Sequence, residues 1–329
     1  MNSQNISKKI LQWYDNNKRI LPWRRPVSKK QKQYFTLVSE FMLQQTQVKT
    51  VIPYFENFIE KIPNLKKLAK VNEKKLMKCW EGLGYYSRAR NLKKTAKKII
   101  SDFKGNLPSN MDDLKTLPGI GEYTSKAIMA IAFNKQVIPL DGNVERVLKR
   151  VFYLKKENEI SKDSLNKKKS FFGTSIRSGD YAQAIMEIGA LICKPTTPLC
   201  IHCPISKNCI SFKKNDFEIG LKNKLNKIKY FEAEIYKDKD KYLLVKNNKF
   251  KFLKNLLIFP MKEVKKKKFN SVLSKKINIK MSNMEMKIVL NKKYKKAKIK
   301  NSYLLNDENL NNYILPTFTK KIFKSISNY

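Results

Sequence analysis

Four cysteines, Cys193, Cys200, Cys203 and Cys209, stand in the spacing Cys-x6-Cys-x2-Cys-x5-Cys within seventeen residues. Thiolates are soft donors. Four so close together in a reducing compartment suit tetrahedral zinc or an iron-sulfur cluster far better than disulfides. Zinc sites commonly pair two Cys-x2-Cys knuckles, whereas the wider x6 and x5 gaps favour ligands spread around a larger object, a 4Fe-4S cluster. The only histidine, His202, lies between two of these cysteines, so no His-based triad or multi-His metal site is available. Cys79, beside Trp80, reads as a core thiol.

Two carboxylates also stand in contexts that suit chemistry. In the stretch Tyr34 to Val48, Leu37, Phe41, Gln44 and Val48 follow helical spacing, and Glu40 lies beside that apolar arc. A Glu there is either an ordinary solvent-facing residue or a partly desolvated acid whose raised pKa suits it to donate a proton. Asp141, in Pro139-Leu140-Asp141-Gly142-Asn143-Val144, stands at the start of a helix, where it would cap the N-terminus and where the helix dipole favours its ionised form. About twenty residues upstream, Leu117-Pro118-Gly119-Ile120-Gly121 joins two helical patterns. Its glycines permit a turn whose N–H groups could bind a phosphate, and an ordinary helix-helix connection has the same look.

The elements that must position these groups follow from the patterning. Successive amphipathic helices are predicted from Ile6 to about Lys213, broken by prolines and glycines such as Pro53, Gly82, Gly84, Pro118 and Pro139. This defines an all-α domain over 1–213, with a central helical module at about 30–140 and a cluster lobe formed by the N-terminal helix with 141–213. A polar linker is expected over 214–228. Beyond it, Tyr230 to Tyr236, Tyr242 to Lys246, Asn255 to Pro260 and Lys287 to Asn291 read as strands of a small α+β domain at 229–329, with Lys265 to Lys268 as a solvated loop.

At 329 residues, 42% of them hydrophobic, the chain can bury two cores. Its 70 Lys and Arg against 27 Asp and Glu give a net charge of +43, which makes nucleic acid the default partner. No apolar run reaches the roughly 18 residues of a membrane helix. No apolar block at the N-terminus precedes a small-residue cleavage site, so a cytoplasmic location is expected.

The cysteine spacing resembles the cluster loop of the iron-sulfur branch of the helix-hairpin-helix, Gly/Pro-Asp DNA glycosylases, and the hairpin followed by Asp141 resembles their shared module. The decapeptide Ser39 to Val48 looks like the catalytic helix of adenine glycosylases of the MutY type. The resemblance covers about Ile6 to Cys209. It implies a two-lobed helical glycosylase with one 4Fe-4S cluster on Cys193, Cys200, Cys203 and Cys209. It also implies a monomeric enzyme that flips adenine out of a mispair with 8-oxoguanine or guanine in double-stranded DNA and hydrolyses its glycosidic bond.

By the same resemblance Glu40 is the general acid and Asp141 stabilises the oxocarbenium-like transition state, with Tyr123 and Asn143 holding Asp141 and the attacking water. Trp23 and Arg24, in Leu21-Pro22-Trp23-Arg24, form the adenine pocket together with Leu43, Val48, Gln183 and Met186. Gln45 and Tyr85, in Gly82 to Arg90, wedge into the duplex. Thr46 and Leu83 approach the opposite base, and Gln44, Arg88, Gly119 and Gly121 complete the DNA contacts. Tyr123 occupies the position where endonuclease III-like relatives carry a Schiff-base lysine, and Lys126 lies about one turn further on, which favours a monofunctional enzyme. The alternatives are a glycosylase with AP-lyase activity on oxidised pyrimidines, or a non-catalytic cluster-bearing DNA-binding protein.

The C-terminal region loosely resembles the family's Nudix-like domain for opposite-base recognition, at Leu253 to Pro260 and Leu315 to Phe318. It departs in lacking the Phe-Ser-His reading loop, for which Asn291 is the polar substitute. The segment between Arg24 and Tyr34 is longer than in the family and borders the adenine pocket.

Overall fold

A computed structural model describes residues 3–156, 159–218, 227–250, 252–271, 274–281, 284–293, 302–306 and 308–327. The chain divides into a helical unit, Met1–Val71 with Ser87–Lys222, and a second unit, Asn72–Tyr86 with Asn223–Tyr329. Among the described residues no helix is long and apolar enough to cross a membrane.

In chain order the helices of the first part are α1 (Ser3–Asn17), α2 (Lys29–Leu43), α3 (Val48–Lys61), α4 (Leu65–Lys70), α5 (Glu73–Trp80), α6 (Ser87–Asp102), α7 (Met111–Lys115), α8 (Glu122–Phe133), α9 (Gly142–Val151), α10 (Lys162–Lys168), α11 (Ser178–Glu187) and α12 (Ile210–Lys213). Side-chain caps start several of them: Ser28, Asn64, Asn110, Asp141 and Ser161 each accept a backbone N–H of the first turn.

The middle of the helical unit is α2, in which every residue from Tyr34 to Met42 is buried. It packs on α3, α6 and α8. A helix covered on every side is a core helix, and this one carries Glu40 inside with it. The turn between α7 and α8 is pressed against this core. Gly119 has φ +85°, and a Cβ there would lie 2.8 Å from Phe41 Cε1 and 3.0 Å from Asn91 Cβ, so only glycine fits. The N-terminal helix α1 returns to pack on α11, with Ile6, Ile10 and Tyr14 sharing a core with Val147, Leu148, Ile185 and Ile188. After α11 the chain makes a five-residue π-helical turn, Ile188–Ile192. There Gly189 approaches Asn143 so closely that a Cβ would sit 2.5 Å from Asn143 Cβ.

The second unit holds β1 (Lys227–Asp238), β2 (Lys241–Lys246), β3 (Leu257–Ile258), β4 (Met261–Val264), α13 (Lys266–Ser271), β5 (Lys276–Met281), β6 (Met284–Lys293), β7 (Ser302–Leu305) and α14 (Thr317–Ser327). The strand order is β3-β2-β1-β6-β5, with β4 also on β1 and β7 on β2. β1 runs parallel to β6 from Lys227 opposite Met284 to Tyr236 opposite Lys293, and antiparallel to β2 and β4. α14 covers the sheet core with Phe318, Ile322 and Phe323.

Three expectations change. Lys265 to Lys268 is not a free loop: Lys266–Ser271 is helical, because Phe269 buries against Tyr230 with ring centroids 5.1 Å apart. Of the expected linker 214–228, residues 219–226 lie outside the described residues, and Lys227 and Ile228 already belong to β1. The segment 72–86, expected within the helical domain, groups with the C-terminal residues. There Glu81 accepts Lys320 Nζ at 2.8 Å and the Leu315 N–H at 3.4 Å.

Candidate active site

A cavity of about 1200 Å3 opens within the helical unit, and Glu40, Tyr123, Asp141 and Asn143 all line it. These residues come from α2, from the first turn of α8 and from the start of α9. The hairpin turn leads into α8, which packs on α2. The expected pocket residues Trp23, Arg24, Leu43, Val48, Gln183 and Met186 line the same cavity, as do Gln44, Gln45 and Thr46. Trp23 is held edge-on against Phe55, with ring centroids 5.3 Å apart.

The electrostatics of the cavity follow from burial. Glu40 is 6% exposed, and desolvation pushes its pKa from 4.5 up to about 7, with the Asp141 charge adding to the rise. A hydrogen bond with Tyr123 and the charge of Arg24 oppose that rise. Burial and the two carboxylates push the Tyr123 phenol well above its usual value, so it remains a donor. Asp141 is also raised, by burial first, while its hydrogen bonds pull the other way. Val144 N donates to Asp141 Oδ1 at 2.7 Å, and Asn143 Nδ2 donates to Oδ2 at 2.9 Å. Asp141 is therefore both the N-cap of α9 and a lining group of the cavity. Asn143 is fixed in turn by Arg146, whose Nη2 donates to Asn143 Oδ1 at 2.8 Å. The arrangement sets an acid that titrates near neutrality beside a second carboxylate cradled by N–H donors. That is suited to protonating a leaving group and stabilising positive charge.

Other expected site residues are placed differently. Arg88, expected to contact DNA, is buried, and its Nη1 donates to the carbonyls of Phe41, Met42 and Gln44 while Nη2 donates to Thr46 Oγ1. It closes the C-terminal end of α2, whose last carbonyls have no helical partner, so this guanidinium is a clamp within the protein. Gln44 Nε2 donates to Gly119 O at 3.2 Å and Thr124 Oγ1 at 3.3 Å, tying α2 to the hairpin. Gly121 is the N-cap of α8. Gln45 is exposed and has φ 55°, a left-handed conformation that a non-glycine residue adopts only under constraint. Leu83 and Tyr85 fall in the second unit, where Leu83 is buried and Tyr85 is exposed with φ 47°. Lys126 lines a separate cavity with Lys169 and pairs with Glu122 at 2.6 Å.

Arg19 and Glu187 also line the main cavity and were not anticipated. The available signal was spacing, since Glu187 lies one helical turn beyond Gln183.

The four cysteines line one small cavity, of about 20 Å3, with Val147, Arg150, Ile188 and Ile192. Arg150 Nη1 donates to Cys193 Sγ at 3.4 Å and to Lys194 O at 2.6 Å, and Cys209 Sγ lies 3.4 Å from Arg150 O. Burial pushes the thiols of Cys200, Cys203 and Cys209 up, Cys203 to about 12. Among the described residues no group of three or more His, Cys, Asp or Glu side chains is set to hold a metal ion. The donor set still fits an iron-sulfur cluster, with four soft ligands around one apolar cavity and a guanidinium beside them to offset the charge of thiolates.

Residues 38–169 match the HhH-GPD superfamily of base excision DNA repair proteins. The chain is 37% identical over 284 residues to the adenine DNA glycosylase of Buchnera aphidicola subsp. Schizaphis graminum, covering 83% of this chain and 80% of that protein. It is 41% identical over 211 residues to the human adenine DNA glycosylase, covering 61% of this chain and 38% of the human protein. Among solved structures, a thermostable thymine-DNA glycosylase is 27% identical with a TM-score of 0.56, over 64% of this chain and 97% of that one. Endonuclease III in a non-covalent DNA complex shares the fold at 21% identity and a TM-score of 0.53, over 65% of this chain and 98% of its own. With its hairpin, its cavity acids and this extent of identity, the chain belongs to the adenine DNA glycosylase family of the HhH-GPD superfamily.

Proposed function

We propose that the protein acts as a monomer in base-excision repair. It binds double-stranded DNA, extrudes an adenine mispaired with 8-oxoguanine or guanine, and hydrolyses its N-glycosidic bond. The observation that carries this reading is the meeting of Glu40, Tyr123, Asp141 and Asn143 in one cavity.

Glu40, with its pKa pushed up to about 7, holds its proton in a large fraction of molecules near neutrality and gives it to N7 of the extruded base. The C1′–N9 bond then breaks, and its electron pair leaves with the base. Positive charge grows on the sugar, where the Asp141 carboxylate stabilises it. Val144 N–H and the Asn143 amide keep that carboxylate in place. Water adds to C1′ and loses its proton to Glu40 or Asp141. The position of Lys126 outside this cavity favours hydrolysis over Schiff-base chemistry.

Gln45 in the helical unit and Tyr85 in the second unit, each accessible and each held at positive φ, are the residues assigned to the wedge, and Thr46 is assigned to the opposite base. Cys193, Cys200, Cys203 and Cys209 would hold a 4Fe-4S cluster. When bound, it supplies a rigid anchor for the loop that carries Lys194 and Lys207 to phosphate. The sheet unit is assigned, as a divergent Nudix-like domain, to the opposite base. Asn291 does not supply a free reading group, since its Nδ2 donates to Glu232 Oε1 at 3.1 Å.

A panel of duplexes tests the reading: A opposite 8-oxoguanine, G, C and T, and an oxidised pyrimidine opposite G. Free adenine from the first two, without borohydride trapping of the enzyme on DNA, is expected. Release of the oxidised pyrimidine with efficient trapping would establish the lyase alternative, and no base release from any duplex would establish the non-catalytic one.

A further inference from the structure

We propose that Glu187 is a positioning residue for adenine removal, holding Arg24 and the segment Arg19 to Arg24 at a fixed distance from α11. This rests on the reading of the cavity as the adenine site.

Glu187 ends α11, and its side chain is 1% exposed. Its Oε2 accepts Arg19 Nε at 2.8 Å, and its Oε1 accepts Arg19 Nη2 at 3.0 Å and Arg24 Nη2 at 2.9 Å. One buried carboxylate thus gathers two guanidiniums, which would otherwise repel each other. Arg24 is further held by its Nη1 on Arg19 O at 3.4 Å and by its guanidinium over the Tyr14 ring, 5.9 Å from the centroid. Its Nε is buried and, among the described residues, has no hydrogen-bond partner. A buried donor left open costs free energy, so the bonds at its other nitrogens must offset that cost to keep Arg24 there. The Glu187 carboxylate does so.

The same contact fixes the width of the cavity. Gln183 and Met186 line it from α11, and Trp23 lines it from the segment that Arg24 belongs to. Glu187 joins the two walls. It also sets the charge that Glu40 faces. The groups acting on Glu40 are Tyr123 from α8, Asp141 from the start of α9, and Arg24, whose positive charge favours the ionised form. Arg24 displaced from its place would leave Glu40 protonated to higher pH.

The test compares the wild-type protein with Glu187→Gln on a duplex carrying A opposite 8-oxoguanine, under single turnover and across pH. The rate of adenine release is expected to fall by about tenfold to a hundredfold, the loss typical of a misplaced base. The alkaline decline in rate should move to higher pH, with little change in affinity for a duplex carrying an uncleavable adenine analogue. A purely structural Glu187 would lower the melting temperature and leave the pH profile of the folded fraction unmoved, which would overturn the proposal. Combining Glu187→Gln with Arg24→Lys should cost no more than Arg24→Lys alone, and losses that multiply would equally contradict it. If Glu187→Gln does not fold, Glu187→Asp, which keeps the charge but sets it one methylene short, carries the same comparison. Wild-type protein that releases no adenine would sink the reading of the cavity; wild-type release matched by Glu187→Gln in rate and pH profile would sink only this inference.

Discussion

The helical unit contains two cavities lined by acids, and burial acts on both in the same direction with opposite consequences. In the open cavity it lifts Glu40 to about 7, which is where a proton donor is most useful. In the small one it lifts Cys203 to about 12, although a thiol must lose its proton to bind a metal. Desolvation, with the Asp141 charge added, raises the acid of the first site, whereas at the second the proposed metal would supply the positive charge that opposes what desolvation does. Polar neighbours differ accordingly. Asp141 accepts from Val144 N and Asn143 Nδ2 and Glu40 has a hydrogen bond with Tyr123, while the four sulfurs share a mostly apolar wall with Arg150.

The contrast is easiest to break at the open cavity. Asp141→Asn removes the charge proposed to face the sugar and should lower the single-turnover rate by about 10²–10³-fold, with duplex affinity kept, as measured on A opposite 8-oxoguanine. A small loss would mean that Asp141 is only the cap of α9. A second effect concerns stability. Glu40 binds its proton more tightly folded than unfolded, so its contribution is complete below pH 4.5 and is lost as pH rises through about 7. The ionised form then costs about 3 kcal/mol. Glu40→Gln should be the more stable protein at pH 8 by up to that amount, with the advantage fading toward pH 5, as read by denaturant titration.

At the cysteine cavity, Cys203→Ser should lower the iron content and the melting temperature. The rate per folded molecule should fall far less than for Asp141→Asn. Purified wild-type protein with one zinc and no iron would overturn the assignment of the cysteines. The smallest effect is expected at Arg88→Ala, which leaves carbonyls at the end of α2 without their donor and should destabilise by about 1–3 kcal/mol in chemical denaturation.

The cavity was legible in the sequence because its chemistry sits in compact strings. Ser39 to Val48, Leu117 to Gly121 and Pro139 to Val144 each carry their own local geometry; the first and third share the cavity, and the second is tied to the first through Gln44 and Gly119. Arg88 misled because an arginine in a glycine-flanked basic stretch gives no sign of whether its partner is phosphate or four backbone and hydroxyl oxygens of α2 and its turn. Glu187 was missed because its partners lie 163 and 168 residues away in sequence, and long-range ion pairs leave no periodic trace. The sheet unit was legible as strands but not as a topology. The parallel pairing of β1 with β6 depends on contacts across half a hundred residues, and α13 was hidden in a lysine run whose one buried anchor is Phe269.

Glu40 is the residue proposed to deliver the proton that frees the base. Adenine release from A opposite 8-oxoguanine by Glu40→Gln, under single turnover with saturating enzyme, addresses it directly. A fall of about 10²–10⁴-fold with mismatch binding intact is the predicted result. Release at the wild-type rate would contradict it.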